Sequence, residues 1–134
     1  MKRLHLICVI LASIFGSTYV YGQCDSYFQA GSSMLYKQLQ ASIRYSDLVY
    51  IDSTFSCEEG VCFYGIFRSR RSKPDVIDGY YNGNEFYFAR LIRRASGSGW
   101  KEVIHYHGTC DEDNALGEFF GENRNYLGRF VLFK

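Results

Sequence analysis

The sequence predicts one mainly β domain, an antiparallel sandwich or open barrel with one N-terminal amphipathic helix packed on it and two disulfides. Three observations carry that prediction. Beyond Asp47, aromatic and β-branched runs are broken by Gly, Asn, Asp or Ser about every eight to twelve residues, the rhythm of short strands joined by turns. Such spacing leaves no room for the crossover helices that parallel neighbours need, so the strands should run antiparallel. Four cysteines follow the N-terminal segment, an even number that suits a small cross-linked domain.

In chain order, Lys2 and Arg3 precede an apolar run from Leu4 to Phe15 that ends in small residues near Gly22. This pattern reads as a secretory signal peptide over residues 1–22, and its apolar core is shorter than the ~20 residues of a membrane span. The domain proper is then residues 23–134, with an extracellular location and no membrane span expected. The whole chain has 15 basic and 14 acidic residues, and two of the basic ones, Lys2 and Arg3, leave with the signal peptide. A near-neutral domain argues against nucleic acid as a partner, because that binding rests on many Lys and Arg contacts to phosphate. The one basic cluster, Arg68, Arg70, Arg71 and Lys73, lies beside the single proline, Pro74, and reads first as a solvated turn and second as a patch for an anionic ligand.

Cys8 belongs to the signal peptide, leaving Cys24, Cys57, Cys62 and Cys110. Four cysteines allow three pairings. Cys57 with Cys62 is favoured because Glu58-Glu59-Gly60-Val61 can fold the chain back on itself, and Cys24 would then staple the N-terminus to Cys110.

From Ser32 to Ser46, Leu35, Leu39 and Ile43 recur every four residues, with Lys37, Gln38, Gln40 and Arg44 on the other sides. The spacing predicts one amphipathic helix capped by Ser32 or Ser33. Strands are predicted at 48–56, 61–68, 75–81, 85–92, 100–107, 115–120 and 125–133, with Ala95-Ser96-Gly97-Ser98-Gly99 as an exposed loop. Val76–Ile92 also overlays Ala115–Val131 without gaps. Tyr80-Tyr81 then falls on Phe119-Phe120, Tyr87 on Tyr126 and Arg90 on Arg129. Two related hairpins would give both arginines equivalent surroundings, with Asp75, Asp78, Glu118 and Glu122 as their candidate partners.

Twelve tyrosines and eleven phenylalanines exceed what a core of this size needs, so some rings should be exposed. Tyrosines beside Asn-rich turns suit a sugar- or protein-binding face, because the ring offers a flat apolar surface with a polar tip. His105 and His107 lie two apart on a predicted strand and should share a face. With Gly99 and Glu112 they resemble the first motif of the cupin family, which implies His105, His107 and Glu112 as metal ligands. The cupins' second motif is absent, since no histidine follows Glu112. Asp111-Glu112-Asp113-Asn114 lacks the ligand spacing of an EF-hand and reads as an acidic turn. No Gly-x-Ser-x-Gly elbow, Gly-rich phosphate loop or Asn-x-Ser/Thr sequon is present.

Residues Gly83 to Arg90, then Trp100, Asn114-Ala115-Leu116 and Tyr126-Leu127-Gly128-Arg129 resemble a diverged natterin-type repeat. The resemblance, over residues 75–131, implies a β-rich lectin fold and a carbohydrate ligand. The expected contacts are Tyr81, Asn82, Asn84, Tyr87, Asn123 and Asn125, with no cofactor. The alternative expectation is a secreted inhibitor or effector that binds another extracellular protein, although the cystatin Gln-x-Val-x-Gly loop is absent; the third is a metal-binding, cupin-like enzyme.

Overall fold

A computed structural model of the chain describes residues 22–39, 47–69, 73–93 and 100–134. The predicted signal peptide apart from Gly22, the second half of the predicted helix, Arg70 and Arg71 of the basic cluster and the Ser/Gly-rich loop all lie outside the described residues.

Eight strands pair antiparallel in sequence order and close into a barrel. They are β1 (Ser33–Gln38), β2 (Asp47–Cys57), β3 (Gly60–Arg68), β4 (Asp75–Asn82), β5 (Glu85–Arg93), β6 (Trp100–Cys110), β7 (Ala115–Phe120) and β8 (Tyr126–Phe133). Seven of them match the predicted strands to within a few residues. The eighth, β1, corrects the sequence reading twice. Ser33–Gln38 is a strand where the first half of a helix was expected, and this strand pairs with both β2 and β8. Closure therefore replaces the open barrel or sandwich.

The reason is visible in the burial. Met34 and Tyr36 face the core, while Leu35 and Leu39, the supposed buried stripe, are 45% and 48% exposed. A four-residue spacing is also a multiple of the two-residue strand period, so Leu35 and Leu39 fit both patterns. Once the barrel needs a strand to cover two free edges, backbone pairing on both sides outweighs a short local helix preference.

Alternate residues of every strand point inward, and the interior is filled with rings. Phe88 stacks on Tyr106 at 4.6 Å, and Tyr36 lies between Phe67 and Phe130 at 4.8 and 5.4 Å. Eight strands enclose a lumen just wide enough for such side chains to fill. Lys37, Asp52, Arg68, Asp78, Glu118 and Arg129 are exposed on the outer wall. The same wall also exposes Leu35, Phe55, Tyr64, Val76 and Leu116 between them. Among the described residues no helix is long and apolar enough to cross a membrane.

One barrel end is plugged by a 3-10 turn, Gln23–Ser26, followed by buried Tyr27 and Phe28. Phe28 packs on Phe63 and Phe86 at 4.8 and 4.9 Å, and the Tyr27 hydroxyl donates to the Asp111 carbonyl at 2.8 Å. The Cys24–Cys110 disulfide locks this plug to the end of β6, and Cys57–Cys62 closes the β2–β3 turn, both as expected.

At the other end Arg90 turns inward. Its Nε donates to Asp75 Oδ2 at 2.7 Å, and its guanidinium lies 4.0 Å from the centre of the Phe67 ring. Arg129 is exposed on the outer wall opposite Glu118. The two arginines therefore do not have equivalent surroundings. The overlay fails by phase: Tyr81 and Phe119 are the buried members of their aromatic pairs, so overlaid rings face opposite sides of the wall. A one-residue slip reverses every facing, and β7–β8 carries an irregularity between Phe119 and Phe120.

Tyr36 and Tyr106 are both 1% exposed. Burial is the main reason that each phenol titrates well above the ordinary tyrosine range. Below pH ~10 both states keep these protons; above it the unfolded chain releases them while the folded barrel holds them. Stability should then fall by about 1.4 kcal/mol per pH unit for each phenol above pH ~10. Urea unfolding at pH 9, 10 and 11 measures this, and a flat profile would contradict it.

Candidate functional site

The strand registers assemble a groove on the outer wall. Tyr80 of β4 pairs with Tyr87 of β5, Tyr87 with His107 of β6, and His107 with Glu118 of β7. All four side chains project outward by the two-residue alternation that sends Phe86, Phe88 and Tyr106 inward. The adjacent outward row supplies His105 and Phe120, and the row on the other side Asn82, Glu85, Thr109 and Leu116. Together they bound an open groove of about 710 Å³.

Local chemistry explains why these residues meet. The β4–β5 hairpin turns over Gly83-Asn84, and Gly83 takes φ 64°, as the first position of a two-residue turn requires. That turn sets Tyr80 opposite Tyr87, with their rings 5.5 Å apart. The groove floor is thin where Gly108 and Gly117 oppose each other. A Cβ on Gly117 would come within 2.8 Å of the Phe130 ring, so the core presses directly against the wall there.

The rings are held by their neighbours. His107 lies flat on Phe120 at 4.9 Å and 5°, and Phe120 meets Tyr126 edge-on. The Tyr87 hydroxyl is 2.6 Å from His105 Nδ1. Partial burial, reinforced by Asp78, raises the Tyr87 pKa. The hydroxyl and Nδ1 share one hydrogen bond that fixes the two rings relative to each other. Arg124 reaches the groove from the β7–β8 turn, where its φ of 62° places a non-glycine residue in the left-handed region. That conformation costs roughly 1–2 kcal/mol, and such outliers concentrate where a loop must aim a side chain.

Comparison with protein-family models, curated proteins and solved structures finds no match to this chain. Function must be read from the groove itself. Of the residues expected to bind ligand, Asn82 and Tyr87 line it. Tyr81 does not: it is buried against Phe28 at 5.8 Å and belongs to the core. Asn84 anchors the plug instead, because its Oδ1 accepts from the Gln23 N–H and its carbonyl from the Cys110 N–H, both at 2.7 Å. Asn123 and Asn125 are exposed on the turn that carries Arg124, and neither lines the groove.

His105 and His107 share the groove, as their spacing implies, whereas exposed Glu112 sits in the turn between β6 and β7 and does not line it. Among the described residues, the side chains whose ligand atoms converge as a metal site would need are Cys57, Glu59 and Cys62. The two sulfurs of that set are bonded to each other and are not available as thiolates.

Sequence reasoning passed over Tyr80, Glu85, Glu118, Phe120 and Arg124. The two-residue turn at Gly83-Asn84 was signal enough to pair Tyr80 with Tyr87 and Asn82 with Glu85. Glu118 and Phe120 depend on the β6–β7 register, and Arg124 on a left-handed turn residue, neither of which local sequence specifies.

Proposed function

We propose that the protein is a secreted carbohydrate-binding protein of lectin type, with the outer-wall groove as its ligand site. One observation carries this reading: Tyr80, Tyr87 and Phe120 stand beside Asn82, Glu85 and Glu118 in a single open groove. Sugars present an apolar C–H face and a rim of hydroxyls. Ring faces suit the first, and carboxylate or amide oxygens accept from the second. The site is built on strands, so its geometry is fixed before a ligand arrives, which reduces the entropy cost of binding. Among the described residues the interior is filled by the rings described above. The likeness of residues 75–131 to the natterin-type repeat supports the β-rich fold more than the ligand, because Asn82 stands where that repeat has an acidic residue and the Gly-Lys step after its Arg is missing; two disulfides with a signal-like N-terminus support secretion.

A glycan array with the intact domain tests the proposal, with binding to at least one sugar family expected. Tyr87→Ala should lower that affinity by about tenfold or more, equivalent to ~1.4 kcal/mol. Its melting temperature should change little, since the ring lies on the outer wall. No signal on the array, together with a co-purifying extracellular protein, would favour the inhibitor or effector reading instead.

A further inference from the structure

A second, smaller hollow lies on the same outer wall and shares Tyr80 and Tyr87 with the groove. Phe55 of β2 and Tyr64 of β3 stack at 5.5 Å on its far side, and both are nearly half exposed. Asp78 and Glu59 complete its rim. Such a pair of large, solvent-facing rings contributes nothing to the barrel core.

The registers make the two hollows continuous. Phe55, Cys62, Tyr80, Tyr87, His107 and Glu118 follow one another across β2 to β7, and Tyr64, opposite Asp78, and Phe120, opposite His105, flank them in the next outward row. Neighbouring strands are ~4.8 Å apart, close to the advance of one sugar ring along an extended chain, so crossing β3 to β7 spans about four to five sugars. Glu59, Asp78, Glu85 and Glu118 line the two hollows, whereas Arg124 is the permanently cationic lining residue among those described. Four carboxylates repel sulfate or uronate groups, so the matching chain carries no negative charge.

We infer that the two hollows form one track for a linear oligosaccharide without anionic groups, lying across the strands, with the Phe55/Tyr64 pair as its outermost subsite. The inference rests on the lectin reading and deepens it. Calorimetric titration of the disulfide-bonded domain with mannose-, glucose- and N-acetylglucosamine-based oligomers of one to six units tests it. Affinity should rise with each added sugar to about four or five units and then level off. The variant Phe55→Ala/Tyr64→Ala should bind the hexamer at least about tenfold more weakly while binding the dimer unchanged. A heparin-derived hexasaccharide should not bind.

Equal affinity for dimer and hexamer, or a double variant that binds the hexamer like the original, would overturn the track while leaving the lectin reading standing. Tight heparin binding would overturn the non-anionic ligand class. Silence with every oligomer and on the array would overturn both readings. The length series on the unaltered protein decides the matter even if the double variant folds poorly.

Discussion

Replacing Cys24 and Cys110 together by serine is expected to lower the unfolding free energy by ~3–5 kcal/mol and the melting temperature by roughly 10–25 °C. The bridge joins residues 86 apart in sequence, so its loss releases a loop that spans most of the barrel in the unfolded chain. The folded state suffers too. Cys24 opens the turn that delivers Tyr27 and Phe28 into the barrel end, where Phe28 covers Phe63, Tyr81 and Phe86. The bridge between Cys57 and Cys62 spans five residues and closes an exposed hairpin turn. Loop-closure entropy grows with loop length, so its removal should cost about half as much. Thermal unfolding of the two double-serine variants compares them directly, and equal losses would contradict the plug as a stabilising element.

Arg90→Ala is expected to cost ~3–5 kcal/mol, because it leaves a buried carboxylate without its ionic partner. Asp75 is only 9% exposed, and the same substitution strips the guanidinium from the face of Phe67. Burial of the pair at the barrel mouth also means that it was desolvated at a cost. A hydrophobic replacement of both partners, Arg90→Met with Asp75→Leu, should therefore recover much of the loss. Arg129 stands on the outer wall across from Glu118, where an exposed pair contributes ~0–1 kcal/mol. Urea unfolding of Arg90→Ala, Arg129→Ala and the double replacement separates these cases. A loss for Arg129→Ala as large as for Arg90→Ala would restore the equivalence that the fold denies.

The same two arginines show how far the sequence could be read. Strand positions were legible because alternating aromatic runs and turn residues set them locally, and seven of the eight strands carry that mark. β1 was not, because Leu35 and Leu39 satisfy helical and strand periods alike, and only the pairing needs of β2 and β8 decide between them. Missing that strand also hid the closure of the barrel. Facing was harder still. Tyr80-Tyr81 and Phe119-Phe120 look alike as text, yet which ring of each pair enters the core depends on the register of the hairpin that holds it. Tyr81 was placed at the ligand for that reason. Alternation within one strand was sufficient to pair His105 with His107, whereas Asn82 and Tyr87 came from tyrosines beside an Asn-rich turn, a pattern that names Tyr81 equally. Glu118 and Phe120 enter through the register of the β6–β7 hairpin and Arg124 through a left-handed turn residue, neither of which local pattern encodes.

The claim that the groove on the outer wall of β4–β7 is the ligand site is tested most directly by backbone NMR of the disulfide-bonded domain during titration with an oligosaccharide taken from the array. The account predicts that shifted amides cluster at Tyr80, Tyr87, His107 and Glu118, with Tyr64 joining them for longer chains. Shifts gathered instead around Asp75 and Arg90 at the barrel mouth, or around Asn123 and Asn125 alone, would contradict it.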